Sequence, residues 1–274
     1  MGSGSLTVVG TGYGGSGQVS RETAVAIAGA EKMFFSTADR ATTEWIYRTN
    51  PGAESLQPFY AHRPDRRKSY VDMVEHILIH VRRGKNVCVA FYGHPGVAVF
   101  PAHAVIQRAR AEGFAARMLP AISALDCLFA DLGLDPTRRG LASFEATDFL
   151  IRRRRIDPTV PLVLWQVGAL GRVGRSGPIN GNRLQILVDA LLTGYPEEHQ
   201  VVIYQAATDP GGQPDIVQVR LDQLPAAGVS AIATLYVPPA RDTPVDVVTA
   251  RRLGIPEGYL TGMAAGRRGP SAHA

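Results

Sequence analysis

Between residues 6 and 118, short all-apolar runs alternate with longer segments in which apolar positions recur every three or four residues. That alternation predicts a mainly parallel sheet covered by helices on both faces. Residues 6–9 and 32–35 read as strands. Ser20 caps a helix reaching residue 30, and Asp39 caps a second one that the Asn50-Pro51-Gly52 turn stops. A third helix is expected over 65–83, with Tyr70, Val74, Ile77 and Val81 on one stripe and Gly84 at its end. Residues 87–91 have no polar alternation, which suits a central strand. A helix over 99–112 follows, and residues 114–118 form an edge strand.

The pattern changes after Pro120. Ser123 with Asp126 three residues on makes an N-terminal capping box, and Gly133 ends that helix. A strand over 161–166 and a helix over 180–192 come next, then strand-like runs at 200–205, 216–220 and 231–237. The Pro/Gly-rich turn around Pro210 joins the first two runs as an antiparallel hairpin, so the second sheet is expected to be mixed. A short helix at 245–253 precedes a Gly/Ala/Arg tail from about Ala264 that reads as disordered. The expected organisation is an α/β domain over 1–119, a second over 120–240, and a helix and tail over 241–274.

Composition narrows the classes. Of 274 residues, 45% are hydrophobic and 19% charged, and no apolar stretch reaches the ~18 residues of a membrane span. With no signal-like start, a cytoplasmic, non-membrane protein is expected. Cys88 and Cys127 lack ligand-like spacing and read as buried free thiols, with no metal site. The net charge of +5 mildly favours anionic ligands without indicating nucleic acid, and the Arg152 to Arg155 run reads as a solvated face.

Glycines at 10, 12, 14, 15 and 17 suggest a dinucleotide site, but no ribose-binding acid follows residues 32–35, and Asp39 is better used as a cap. A tight turn lining a cleft is the preferred reading. The run FYGHPGVAVFPAH, residues 91–103, puts Tyr92 and His94 on a Gly/Pro turn at the carboxyl end of a buried strand, where open α/β sheets bind ligands. The loop PAISA, 120–124, is a second such place.

These motifs, with VVGTG, RARAEGF, MLPAISALDCLFADLGLDP and FEATDFL, resemble the tetrapyrrole methylase superfamily, and within it the borosin-type α-N-methyltransferases, which methylate backbone amides of a ribosomal precursor peptide. The resemblance runs from about Leu6 to Pro239. It implies two α/β domains with S-adenosylmethionine in the cleft between them and S-adenosylhomocysteine as product. The cofactor contacts it implies are Tyr92, His94, Pro95, Val97 and Ala98, then Ser123 and Ala124, then Gln166, Tyr204 and Thr234.

On the substrate side, Arg66 and Tyr70 are one helical turn apart and share a face, with Tyr60 six residues before Arg66. The resemblance implies that Tyr60, Arg66, Tyr70 and Tyr92 surround the amide being methylated. An amide nitrogen is a poor nucleophile because its lone pair is delocalised into the carbonyl. A phenol beside a guanidinium gives up its proton more readily, which marks Tyr70 or Tyr60 as the base, and Arg66 suits the charge developing on the amide oxygen. Arg67 is an adjacent rival to Arg66.

Fused relatives carry a helical clasp and their own core peptide, whereas no such segment follows Gly266 here. The expectation is a separate precursor bound in trans to a homodimer, giving a heterotetramer with two precursor chains. A corrin-type small-molecule methyltransferase and a non-enzymatic peptide-binding module are the alternatives; the Tyr-Arg-Tyr set argues against the first and the intact cofactor loops against the second.

Overall fold

Each connection in the first half has room for a crossover, and parallel pairing follows, because parallel strands cannot be joined by tight turns. The computed structural model describes residues 4–37, 39–61, 66–172, 181–256 and 258–260, with the side chains of 61, 66 and 67 outside that description. Strands β1 (Ser5–Gly10), β2 (Lys32–Ser36), β3 (Glu54–Ser55), β4 (Asn86–Phe91) and β5 (Ala115–Met118) lie in the order β3-β2-β4-β1-β5, every pairing parallel. Helices α1 (Arg21–Ala28), α2 (Arg40–Thr49), α3 (Gln57–Ala61), α4 (Arg66–Arg82) and α5 (Phe100–Ala111) occupy the crossovers.

The unbroken apolar run of β4 is explained by its two buried faces. Val87, Val89 and Phe91 join Val74, Ile77 and Val81 of α4 in one core, while Cys88 and Ala90 join Ile27, Met33 and Ile46 in another. Burial of each such side chain contributes about 1.5–3 kcal/mol. It also pushes the Cys88 thiol up to about 12. Ser20 and Asp39 cap as expected, their side chains accepting the Thr23 and Thr42 N–H groups at 3.1 and 2.7 Å.

Helices α6 (Ala124–Leu132) and α7 (Pro136–Arg139) lead to the second sheet. Strands β6 (Ala142–Glu145), β7 (Leu162–Trp165), β8 (Gln200–Gln205), β9 (Asp215–Arg220) and β10 (Thr234–Val237) run in the order β6-β7-β10-β8-β9. Only β6 and β7 pair in parallel, so the sheet is mixed and β8–β9 is the expected hairpin. One face packs with α8 (Ala146–Ile151) and α9 (Gly181–Leu191) around Phe149, Leu164, Leu187 and Leu235. The other face, with Val163, Tyr204 and Tyr236, packs against Leu128 of α6. Helix α10 (Val247–Arg252) follows.

Several expectations change. Residues 231–233 are not strand, because the Ala233 N–H turns back onto the Ser230 carbonyl at 3.2 Å and pairing begins at Thr234. Cys127 is only half-buried, on a helix face that α6 shares with the protein surface. The tail from residue 264 lies outside the described residues. The Arg152 to Arg155 run is exposed, with Arg152 and Arg154 both paired to Asp148.

One polar cluster stands on the first sheet. Glu54 accepts from Lys32 Nζ and pairs with His76 Nε2, both at 2.6 Å, and His76 and His80 pack edge-on to Phe34. His80 Nδ1 is buried without a hydrogen-bond partner. Burial first, then the charges of Lys32, His76, Lys85 and Arg83, hold His80 below its ordinary value of 6.5. The unfolded chain therefore takes up the His80 proton at higher pH than the folded one, and the corresponding stability is present above 6.5 and lost as pH falls below it. Glu54 is depressed as well: burial raises it, but Lys32 and His76 outweigh that, so its contribution is lost only below 4.5. The expected result is a melting temperature that drops by a few degrees as pH is lowered from neutral into the fives. The drop should be shallower in His80→Gln; equal slopes in the two proteins would show that His80 is not the group responsible.

Candidate active site

Because the strands of the first sheet are parallel, the loops after β1, β4 and β5 all leave from its carboxyl edge. The first two are stitched together: Gly93 N–H donates to the Gly12 carbonyl at 2.8 Å, and Gly12 N–H to the Gly93 carbonyl at 3.4 Å. A Cβ on Gly10 would collide with the Gly93 carbonyl oxygen and lie 2.6 Å from Pro95 Cδ and Ala121 Cβ. These glycines serve close backbone approach, which is the reading favoured over a dinucleotide site.

The Tyr92 loop is internally braced. Tyr92 N–H donates to the Ser36 carbonyl at 3.0 Å, and His94 Nδ1 accepts the Gly96 N–H at 2.9 Å, so His94 shapes its own turn. Pro95 is buried, whereas Val97 and Ala98 are exposed and Tyr92 is 43% exposed. Ser123 is nearly buried; its Oγ donates to Asp126 Oδ2 at 2.7 Å and accepts the Asp126 N–H at 3.2 Å. The Ser123 hydroxyl is engaged in the cap, and the first-turn donors that α6 offers are the Ala124 and Leu125 N–H groups.

On the second sheet, Gln166 follows β7, while Thr234 begins β10 directly opposite Tyr204 near the end of β8. These three residues therefore share one edge. Tyr204 is buried, and its hydroxyl donates to Asp131 Oδ2 at 2.6 Å. Burial and that carboxylate together raise its proton affinity. Ala98 and Gln166 both have φ of 57°, in the left-handed region that non-glycine residues avoid.

Tyr60 and Tyr70 meet edge-on at 6.0 Å between ring centroids, and Tyr70 stacks on Phe100 at 5.8 Å. Phe100, 54% exposed, begins α5, where the Tyr92 loop ends. Arg66 opens α4 one turn before Tyr70, but its side chain lies outside the described residues. Tyr92 belongs to a second pair: its ring meets Tyr13 edge-on at 5.9 Å. Tyr13 and Phe100 were missed by sequence reasoning. A large aromatic inside a glycine run was the signal for Tyr13; Phe100 gave none. Among the described residues no His, Cys, Asp and Glu group is arranged to hold a metal, and no helix is long and apolar enough to cross a membrane.

A recess of about 700 Å³ lies at the opposite edge of the first sheet between α1 and β5, lined by Ser5, Val25, Asn86 and Arg117. It touches none of these loops. A recess of about 520 Å³ lies beside them, between Gln18 to Ser20 and Pro120 to Ile122. Position at the strand ends, rather than volume, marks the site.

Comparison with known proteins shows the family. Residues 5–225 match the family described as tetrapyrrole (corrin/porphyrin) methylases. The chain is 40% identical over 257 residues to a methyltransferase/ribosomally synthesized cyclic peptide gymnopeptides precursor of Gymnopus fusipes, covering 91% of this chain and 61% of that protein. It is 39% identical to the corresponding omphalotin A precursor of Omphalotus olearius, again covering 91% and 61%. A type III borosin precursor of Anomoporia bombycina is 38% identical, with 92% of this chain and 30% of that protein covered. The chain thus spans less than two thirds of these relatives. In fold it resembles uroporphyrin-III-C-methyltransferase from Thermus thermophilus, with a TM-score of 0.62 at 19% identity over 92% of this chain and 97% of that one. Diphthine synthase gives 0.59 at 16% identity over 87% and 91%. With its parallel first sheet, mixed second sheet and loops gathered at the strand ends, the chain belongs to the tetrapyrrole (corrin/porphyrin) methylase family.

Proposed function

We propose that this chain is an S-adenosylmethionine-dependent methyltransferase that acts on backbone amide nitrogens of a ribosomally made precursor peptide. The observation that carries the reading is the Tyr60–Tyr70–Phe100 aromatic row, headed by Arg66 of α4 and adjoining the exposed Tyr92 loop. The methyltransferase/precursor names of its relatives support it.

The cofactor fits the backbone. Of the three non-glycine residues with positive φ among those described, Ala98 and Gln166 lie in loops implied to hold it, and strain of this kind collects at ligand clamps. Tyr92, His94, Pro95, Val97 and Ala98, with Ser123, Ala124, Gln166, Tyr204 and Thr234, are the residues that would hold it. Bound there, it supplies an electrophilic methyl group on sulfur and leaves as S-adenosylhomocysteine. The protein's part is to align the acceptor and manage its proton. Tyr70 or Tyr60, as the phenolate, accepts the amide proton on its oxygen and becomes the phenol, Arg66 stabilises the charge on the amide oxygen, and Tyr92 bounds the space between.

The acceptor is proposed to be a separate precursor chain bound to a homodimer, one per subunit. Tyr92 and Phe100 stay about half exposed after the described segments have packed, which leaves an incoming strand access to both. The test is co-expression with the small protein encoded beside this gene, followed by tandem mass spectrometry of both chains and light scattering of the complex. Methylene-mass increments on backbone amides of the partner are expected. Increments confined to this chain would replace a trans acceptor with a cis one. An unmodified peptide alongside a methylated tetrapyrrole would overturn the reading.

A further inference from the structure

We infer that Tyr13 is a positioning residue of the active site: it fixes the ring of Tyr92 and ties that ring to the second sheet. Nothing in the residue patterns of the site assigns it this part, and four observations carry it. Its ring meets the Tyr92 ring edge-on, at 5.9 Å and 69°. The same ring lies over Gly93, the next residue in the loop, so closely that a Cβ there would be 2.8 Å from Tyr13 Cε2 and 2.9 Å from its hydroxyl. It also packs against the cluster formed by Leu128, Val163, Tyr204, Ala206 and Tyr236, which belongs to α6 and the second sheet. Finally, its main chain is anchored, the Tyr13 N–H donating to Gln18 Oε1 at 2.7 Å within the glycine turn.

The arrangement has a direction. Tyr13 is held by backbone, by Gln18 and by an apolar cluster, whereas Tyr92 is 43% exposed. The fixed ring therefore orients the exposed one. Edge-to-face geometry favours one relative angle over others, because the positive ring edge seeks the negative face. Burial, with the neighbouring Tyr92 phenol and Cys127 thiol, raises the proton affinity of Tyr13, so it remains a neutral wall and exchanges no proton.

This inference rests on the proposed function only in that Tyr92 borders the acceptor, and its test reads Tyr92 directly. Fluorotyrosine is installed at position 92 of the full chain, and its ¹⁹F resonance is recorded without ligand in wild type, Tyr13→Phe, Tyr13→Leu and Tyr13→Ala. The expected result is one narrow line in wild type, broadening and a shift in Tyr13→Leu and Tyr13→Ala, and recovery of the narrow line in Tyr13→Phe. On the transferred methyl, Tyr13→Leu should lower kcat by about tenfold or more with little change in KM, because misalignment costs rate rather than binding. Tyr13→Leu keeps an apolar side chain in the cluster, so it remains informative if Tyr13→Ala fails to fold. An unchanged ¹⁹F line in Tyr13→Leu would overturn the inference, as would a Tyr13→Phe line as broad as that of Tyr13→Leu. If wild type methylates no peptide but the line responds as described, the proposed function fails and the positioning role stands.

Discussion

Tyr70→Phe is expected to slow peptide methylation by a factor of about 10²–10⁴, the usual contribution of a positioned acid–base group, with cofactor affinity changed no more than about threefold. The substitution removes one oxygen and leaves the ring contacts with Tyr60 and Phe100 in place, so a loss of rate reports on the hydroxyl rather than on packing. Single-turnover measurement on the precursor, with cofactor binding by calorimetry, separates chemistry from assembly. Tyr60→Phe, measured alongside, identifies the base as whichever variant loses the larger factor. A Tyr70→Phe protein with the wild-type rate would remove Tyr70 from the mechanism.

Arg66→Ala should lower kcat/KM by about 10²–10³, the loss seen when one donor to a developing oxyanion is deleted. Arg66 is the first residue of α4 and Tyr70 lies one turn further, the four-residue spacing on which Arg66 rather than its rival Arg67 is assigned. Arg67→Ala is therefore expected to retain most of the activity. Arg66→Lys keeps the charge without the planar fork, and partial recovery there would separate charge from geometry. If Arg67→Ala were the slow variant, the assignment would move by one residue.

What could be read in the sequence follows from how locally each element is specified. The capping box of Ser123 and Asp126 and the caps of Ser20 and Asp39 are written in adjacent residues, and all three form as expected. The all-apolar run of β4 announced two buried faces, and α4 on one side and α1 and α2 on the other cover them. Strands β3 and β6 escaped notice because their identity is a property of their partners. Glu54–Ser55 is too short for any pattern, and Ala142–Glu145 becomes a strand by pairing with β7. At the site, the family resemblance pointed to Tyr60 and Tyr70, which the structure brings into contact. One assignment needed coordinates. The commitment of the Tyr204 hydroxyl to Asp131 depends on a partner 73 residues away, which spacing does not reveal.

The two sheets keep separate hydrophobic cores, and the cluster that Tyr13 enters bridges them at the strand ends. Each half can therefore gain or lose order without dismantling the other, and a molecule seated at the strand ends acts as a thermodynamic rivet between them. Ligand at about a hundred times its dissociation constant adds about 2.7 kcal/mol to whatever unfolding step destroys the site. Saturation with cofactor is then expected to draw the melting of the two halves together.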